Sequence, residues 1–118
     1  MIERELAAIA RELVRFMPER ARIERPTPVV DRYGASTPGT LELVADGVPC
    51  RITDARSVYA NQPEHVRLRG SFLIVVPSGT DVAVGDVLTV GTRRYRVVDL
   101  AAAGTLAVTT RIGAEVQS

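Results

Sequence analysis

The feature that most constrains this chain is a change of apolar period at Pro18: before it apolar residues recur every three or four positions, after it every two. In the first stretch Ile2, Leu6, Ile9, Leu13 and Met17 form one stripe, flanked by Ala10 and Val14, with Glu3, Glu5, Arg11, Glu12 and Arg15 on the other side. That is the period of an amphipathic helix, about 3.6 residues per turn. It predicts a helix over Ile2–Met17, ended by Pro18 because a residue that precedes proline avoids helical angles. The stripe either caps a core or meets another subunit, so Ile2, Leu6, Ile9, Leu13 and Met17 make a candidate contact helix.

Behind Pro18 the chain reads as strands and turns. Arg22-Ile23-Glu24-Arg25 opens a strand, and Pro26 and Pro28, which cannot donate ladder hydrogen bonds, assign it to a sheet edge. Asp31, Arg32, Tyr33, Gly34, Ala35, Ser36, Thr37, Pro38 and Gly39 form a loop by composition. Leu41, Leu43 and Ala45 then alternate with Glu42 and Val44, and Val48, Cys50 and Ile52 with Pro49 and Arg51. Asp46-Gly47 between these runs reads as a two-residue hairpin turn, whose positive φ angles match the twist of paired strands. Asp54, Ala55, Arg56, Ser57, Val58, Tyr59, Ala60, Asn61, Gln62, Pro63, Glu64 and His65 show no period and predict a second long loop. Val66–Val76 predicts a long strand whose second half, through Leu73 and Val75, is apolar on both faces, the pattern of a central or intersubunit segment.

Turns at Pro77-Ser78-Gly79-Thr80 and Gly91-Thr92 separate further strands at Val87–Val90 and Arg94–Leu100, and Thr105–Ile112 supplies the last. The tail 113–118 reads as loose. The expected fold class is mainly β (α+β): a small antiparallel barrel or sandwich of about six strands over 21–112, behind one N-terminal helix, in a single domain. Helices do not alternate with strands, which excludes a doubly wound sheet.

A chain of 118 residues has room for one core. Its aromatic residues are only Phe16, Tyr33, Tyr59, Phe72 and Tyr95, so the core falls to Val, Leu, Ile and Ala. Net charge is +1, which argues against a free-standing nucleic-acid binder, since such proteins carry a surplus of cations to displace counterions from phosphate. All 15 basic residues are Arg; base composition explains that most cheaply, and the functional reading is a set of planar, two-pronged pairs with carboxylates. Charges run through the segment where a signal peptide needs an unbroken apolar stretch. No segment reaches the roughly 20 apolar residues of a membrane span, and a cytoplasm-like site of synthesis is expected.

Chemistry is sparse. Cys50 shares a strand face with Val48 and Ile52 and reads as a small buried hydrophobe rather than a nucleophile, which would need a base and an orienting group. His65 is the only imidazole, too little for a zinc site with Cys50 alone. Asp81 and Asp86 flank a turn without the dense carboxylate spacing of a calcium loop. No enzymatic activity, no metal and no cofactor is expected. Tyr33 beside Arg32, and Tyr59 near Arg56, offer a second reading as stacking platforms for a single nucleic-acid strand; anchoring a loop is the plainer role.

Several of these runs occur together in a familiar order. Asp31-Arg32-Tyr33-Gly34 after an edge strand, then Val48-Pro49-Cys50-Arg51-Ile52, Val76-Pro77-Ser78-Gly79-Thr80-Asp81-Val82, Gly85-Asp86-Val87-Leu88 and Arg94-Tyr95-Arg96-Val97-Val98 resemble the head-closure proteins of long-tailed bacteriophages, also called stopper, head-tail joining or neck proteins. The similarity covers about Ile23–Leu100. It implies a small β-barrel in a ring of twelve copies, or else six, within the virion neck. Such a ring sits below the portal and its adaptor, meets the tail, and touches packaged DNA weakly. In that family a long loop projects into the channel. Here the resemblance implies Asp54–His65 as the channel loop and Asp31–Gly39 as a subunit contact. The N-terminal helix departs from relatives that begin near the first strand, which raises an adaptor or tail-completion role as a close rival. A secretion or tail-like machine component on the same barrel is a further reading.

Overall fold

The stretch behind Pro18 folds as six strands and a short helix: β1 (Glu19–Val30), β2 (Ser36–Asp54), α1 (Ala55–Asn61), β3 (Phe72–Pro77), β4 (Val87–Val90), β5 (Arg93–Ala101) and β6 (Thr109–Gln117). The computed structural model describes residues 16–30, 34, 36–61, 67–101 and 109–117. All pairings are antiparallel, and the order β1-β2-β3-β6-β5-β4 closes into a barrel because β1 pairs with both β2 and β4. Closure gives every strand two neighbours, and among the described residues open edges lie on β2 ahead of Arg51 and on β1 past Glu24.

Alternation delivers the core. Ala21 and Ile23 of β1, Cys50 of β2, Ile74 and Val76 of β3, Leu88 of β4, Tyr95 and Val97 of β5, and Ile112 and Ala114 of β6 fill the interior. Burying each large aliphatic side chain contributes roughly 1.5–3 kcal/mol. Phe72 meets Tyr95 edge to face, centroids 5.5 Å apart.

β1 and β2 pair from Glu19↔Cys50 to Val30↔Ser36, yet β1 pairs with β4 only over Ala21–Glu24 and β2 with β3 only over Arg51–Asp54. Past Glu24 the two strands therefore continue as a two-stranded arm, about 20 Å long at the usual rise per residue. Pro26 and Pro28 fall on the part of β1 that has lost β4. The expected edge position holds there.

Several expectations are corrected. Asp46-Gly47 is not a hairpin turn but lies inside the continuous strand β2. The register passes from Ala21↔Val48 to Ile23↔Ala45, so Asp46 and Gly47 together face Arg22 in a bulge, and Gly47 takes φ 66°. A type I′ hairpin needs positive φ at both central residues, and among the described residues no non-glycine has it. The Asp31–Gly39 loop is shorter than expected, because Ser36–Gly39 belong to β2. Within Asp54–His65, Ala55–Asn61 is helix rather than loop: the Asp54 carboxylate accepts from the Arg56 N–H at 2.8 Å and caps its start.

The strand expected from Val66 begins only at Phe72. Gly70, at φ 112°, turns the chain there, and the 67–71 segment crosses β6 so closely that a Cβ on Gly113 would collide with the Arg69 carbonyl. Arg67–Ser71 alternate in polarity yet pair with no strand, which is why periodicity misled. The tail is not loose: β6 runs to Gln117, with Gly113 and Ala114 buried. Thr105–Val108 lie outside the described residues, as do Ile2, Leu6, Ile9 and Leu13 of the expected helix. Phe16 stands in a turn, and Met17, expected as that helix's last residue, is buried in the irregular approach to β1.

Candidate functional site

The arm is fixed at its base by charge. Arg25, the first β1 residue past the β4 pairing, donates through Nε to Asp86 Oδ1 at 2.9 Å and through Nη2 to Asp86 Oδ2 at 3.0 Å. Nη2 also donates to Asp81 Oδ1 at 3.1 Å. Asp86 is 1% exposed and accepts in addition from the Ala83 N–H at 2.8 Å. Two-pronged pairing with a carboxylate is the geometry that a guanidinium offers and an ammonium does not. The hydrogen bonds to Asp86, then to Asp81, hold Arg25 protonated well above its ordinary range. Asp86 shapes the turn that its sequence position suggests, its N–H donating to the Ala83 carbonyl at 3.0 Å, and its side chain also clamps the arm. Residues 61 apart in sequence leave no local pattern for that pair.

Beside the arm lies a cleft of about 530 Å³, with Pro26, Gly39 and Leu41 on the arm side and Gly85, Val87, Arg94, Arg96 and Gln117 on the barrel side. Tyr95 points into the core, so alternation sends Arg94 and Arg96 outward on one face. Both are exposed. Across the wall Arg22, Thr89, Arg94 and Gln117 are in register, as are Glu24, Val87, Arg96 and Glu115. Arg22 leans on Glu24 at 3.9 Å, and Glu115 accepts from the Ser71 hydroxyl at 3.0 Å. Among the described residues the side chains of Arg93, Arg94 and Arg96 have no hydrogen bond or ion pair. Sequence reading missed this surface, although an Arg-x-Arg spacing around a core tyrosine was its signal.

At the other candidate, α1 and the 67–71 segment enclose a cavity of about 560 Å³ lined by Ala55, Arg56, Tyr59, Ala60, Arg67, Leu68, Gly70 and Ser71. Tyr59 is buried; its hydroxyl accepts from the Leu68 N–H at 2.8 Å, and the Arg67 guanidinium lies 5.5 Å from its ring centroid. These contacts anchor the 67–71 segment and leave Tyr59 only 7% exposed. The segment is tied down further on: the Arg69 N–H donates to Asp99 Oδ2 at 2.9 Å and the Arg69 side chain to the Val98 carbonyl at 2.9 Å. The bond from the Arg69 N–H, helped by one from the Leu100 N–H, draws the Asp99 carboxyl below its usual range.

Cys50 is a free, fully buried thiol, as its alternation indicates, and burial pushes its pKa up to about 11. Gln62–Val66, including His65, and Asp31–Tyr33 with Ala35 lie outside the described residues. Among the described residues no three His, Cys, Asp or Glu side chains gather as metal ligands. The described parts of the two sequence-predicted contact segments are not brought together: Ser36–Gly39 begins β2 at the far end of the arm, while Asp54 closes the opposite end of that strand. The chain matches no protein-family model and no curated protein sequence.

Proposed function

We propose that this chain is a structural ring subunit of the head-closure kind, which joins the portal or adaptor to the tail in a phage neck and helps retain packaged DNA. The observation that carries the reading is the arm: a closed barrel has no edge to offer a neighbour, but β1 and β2 run past it with sides that pair with nothing among the described residues. A ring subunit needs two different faces that meet head to tail so that rotation closes the circle. Arm and barrel wall are two such faces. The ordered resemblance over Ile23–Leu100 supplies the location, and the amphipathic stripe Ile2, Leu6, Ile9 and Leu13 would supply a contact to the layer above or below. An adaptor or tail-completion position in the same connector uses the same faces.

Sedimentation velocity of the purified chain tests this directly. The expected result is a discrete species of twelve or six copies that grows with concentration. A chain that sediments as a monomer at every concentration, alone and with portal or tail proteins, contradicts it.

A further inference from the structure

Taking the ring reading as its basis, we propose which surfaces meet in it: the Arg94–Arg96 wall of one copy receives the Glu42–Asp46 stretch of the next copy's β2, at the base of its arm. The wall presents two guanidiniums on one face of β5, Arg94 and Arg96, whose side chains have no partner among the described residues. Both line a cleft whose other walls include Pro26, Leu41 and Val87. Such a site suits carboxylates carried next to an apolar side chain, because planar two-pronged pairing serves the charge and the apolar walls serve the rest. Bare phosphate would leave those apolar walls uncovered.

β2 carries the complementary set at the base of the arm. Glu42 and Asp46 are exposed, and between them Leu43 is 54% exposed. Asp46 accepts only from its own neighbour, the Gly47 N–H at 2.8 Å, and Glu42 has no partner among the described residues. Between Gly39 and Val48 the strand holds no proline, and its side away from β1 pairs with nothing among the described residues. A neighbour can approach it there. The acidic β2 stretch and the basic wall are different patches of one molecule whose net charge is only +1. Each copy thus brings both halves of a head-to-tail contact, the kind that closes rings.

The test is a charge exchange read by sedimentation velocity. Arg94→Glu with Arg96→Glu gives copies whose wall and β2 stretch are both acidic; Glu42→Arg with Asp46→Arg gives copies whose wall and β2 stretch are both basic. Each variant alone is expected to lose at least tenfold in assembly, and an equimolar mixture to recover rings of alternating copies, which twelve or six permit. Wild-type assembly is expected to weaken at least tenfold between low and high salt, since exposed charge pairs are screened. Rings that form equally well from either variant alone, or wild-type rings indifferent to salt, overturn the assignment of surfaces while leaving the ring reading in place. A wild-type chain that stays monomeric removes the ring reading itself.

Discussion

Single side chains divide this chain into an interior that the alternation places and polar contacts that it does not. Cys50 belongs to the first group: its position between Val48 and Ile52 puts it inward, and it is fully buried. Burial disfavours the thiolate and moves the pKa from about 9 to about 11. A pKa raised in the folded state gives stability that is intact below the unfolded value and lost as pH rises through the folded one. Urea midpoints are therefore expected to hold up to about pH 8.5 and to fall toward pH 11 by an amount, up to about 2 kcal/mol, that Cys50→Ala removes. Identical alkaline slopes for wild type and variant would contradict it. The Arg25–Asp86 pair belongs to the second group. Neither residue's neighbours in sequence hint at the other, because the barrel's closure brings them together.

Among elements, the arm and α1 are where local chemistry and final structure part. Asp46-Gly47 was legible as a place where φ turns positive, and Gly47 does so. Whether such a dipeptide reverses the chain or only kinks it depends on what pairs beyond it, and here β1 runs along both sides of it without a break. Arg67–Arg69 imitated a strand because an irregular segment also alternates when it lies along a barrel wall. α1 is only seven residues, too short for a helical period to stand out from a loop, though its Asp54 cap was in plain view. The arm's direction depends on its base clamp. Asp86→Ala removes both hydrogen bonds to Arg25 and leaves the Ala83 N–H without its acceptor. The expected cost is about 2 kcal/mol in urea unfolding, with amide exchange faster along Arg25–Val30 than in β3 or β6. Uniform protection across the barrel and arm would show that the clamp does not hold it.

At the scale of the whole molecule, the mainly β class, antiparallel pairing and much of the core could be read from period and turns, which are short-range properties; Leu43, set by alternation with Leu41 and Ala45, is instead 54% exposed beside a register shift. Strand order, closure and the overhang of β1 and β2 could not be read that way, because they follow from long-range registry. The charged wall came into view only with that registry, which aligns Arg22 with Arg94 and Glu24 with Arg96 across β4. A barrel that carries an arm and a free cationic wall is suited to repetition around an axis. Electron microscopy of the assembled protein measures that most directly. The account predicts closed rings of uniform diameter with a central channel; open filaments, irregular clusters or separate monomers would contradict it.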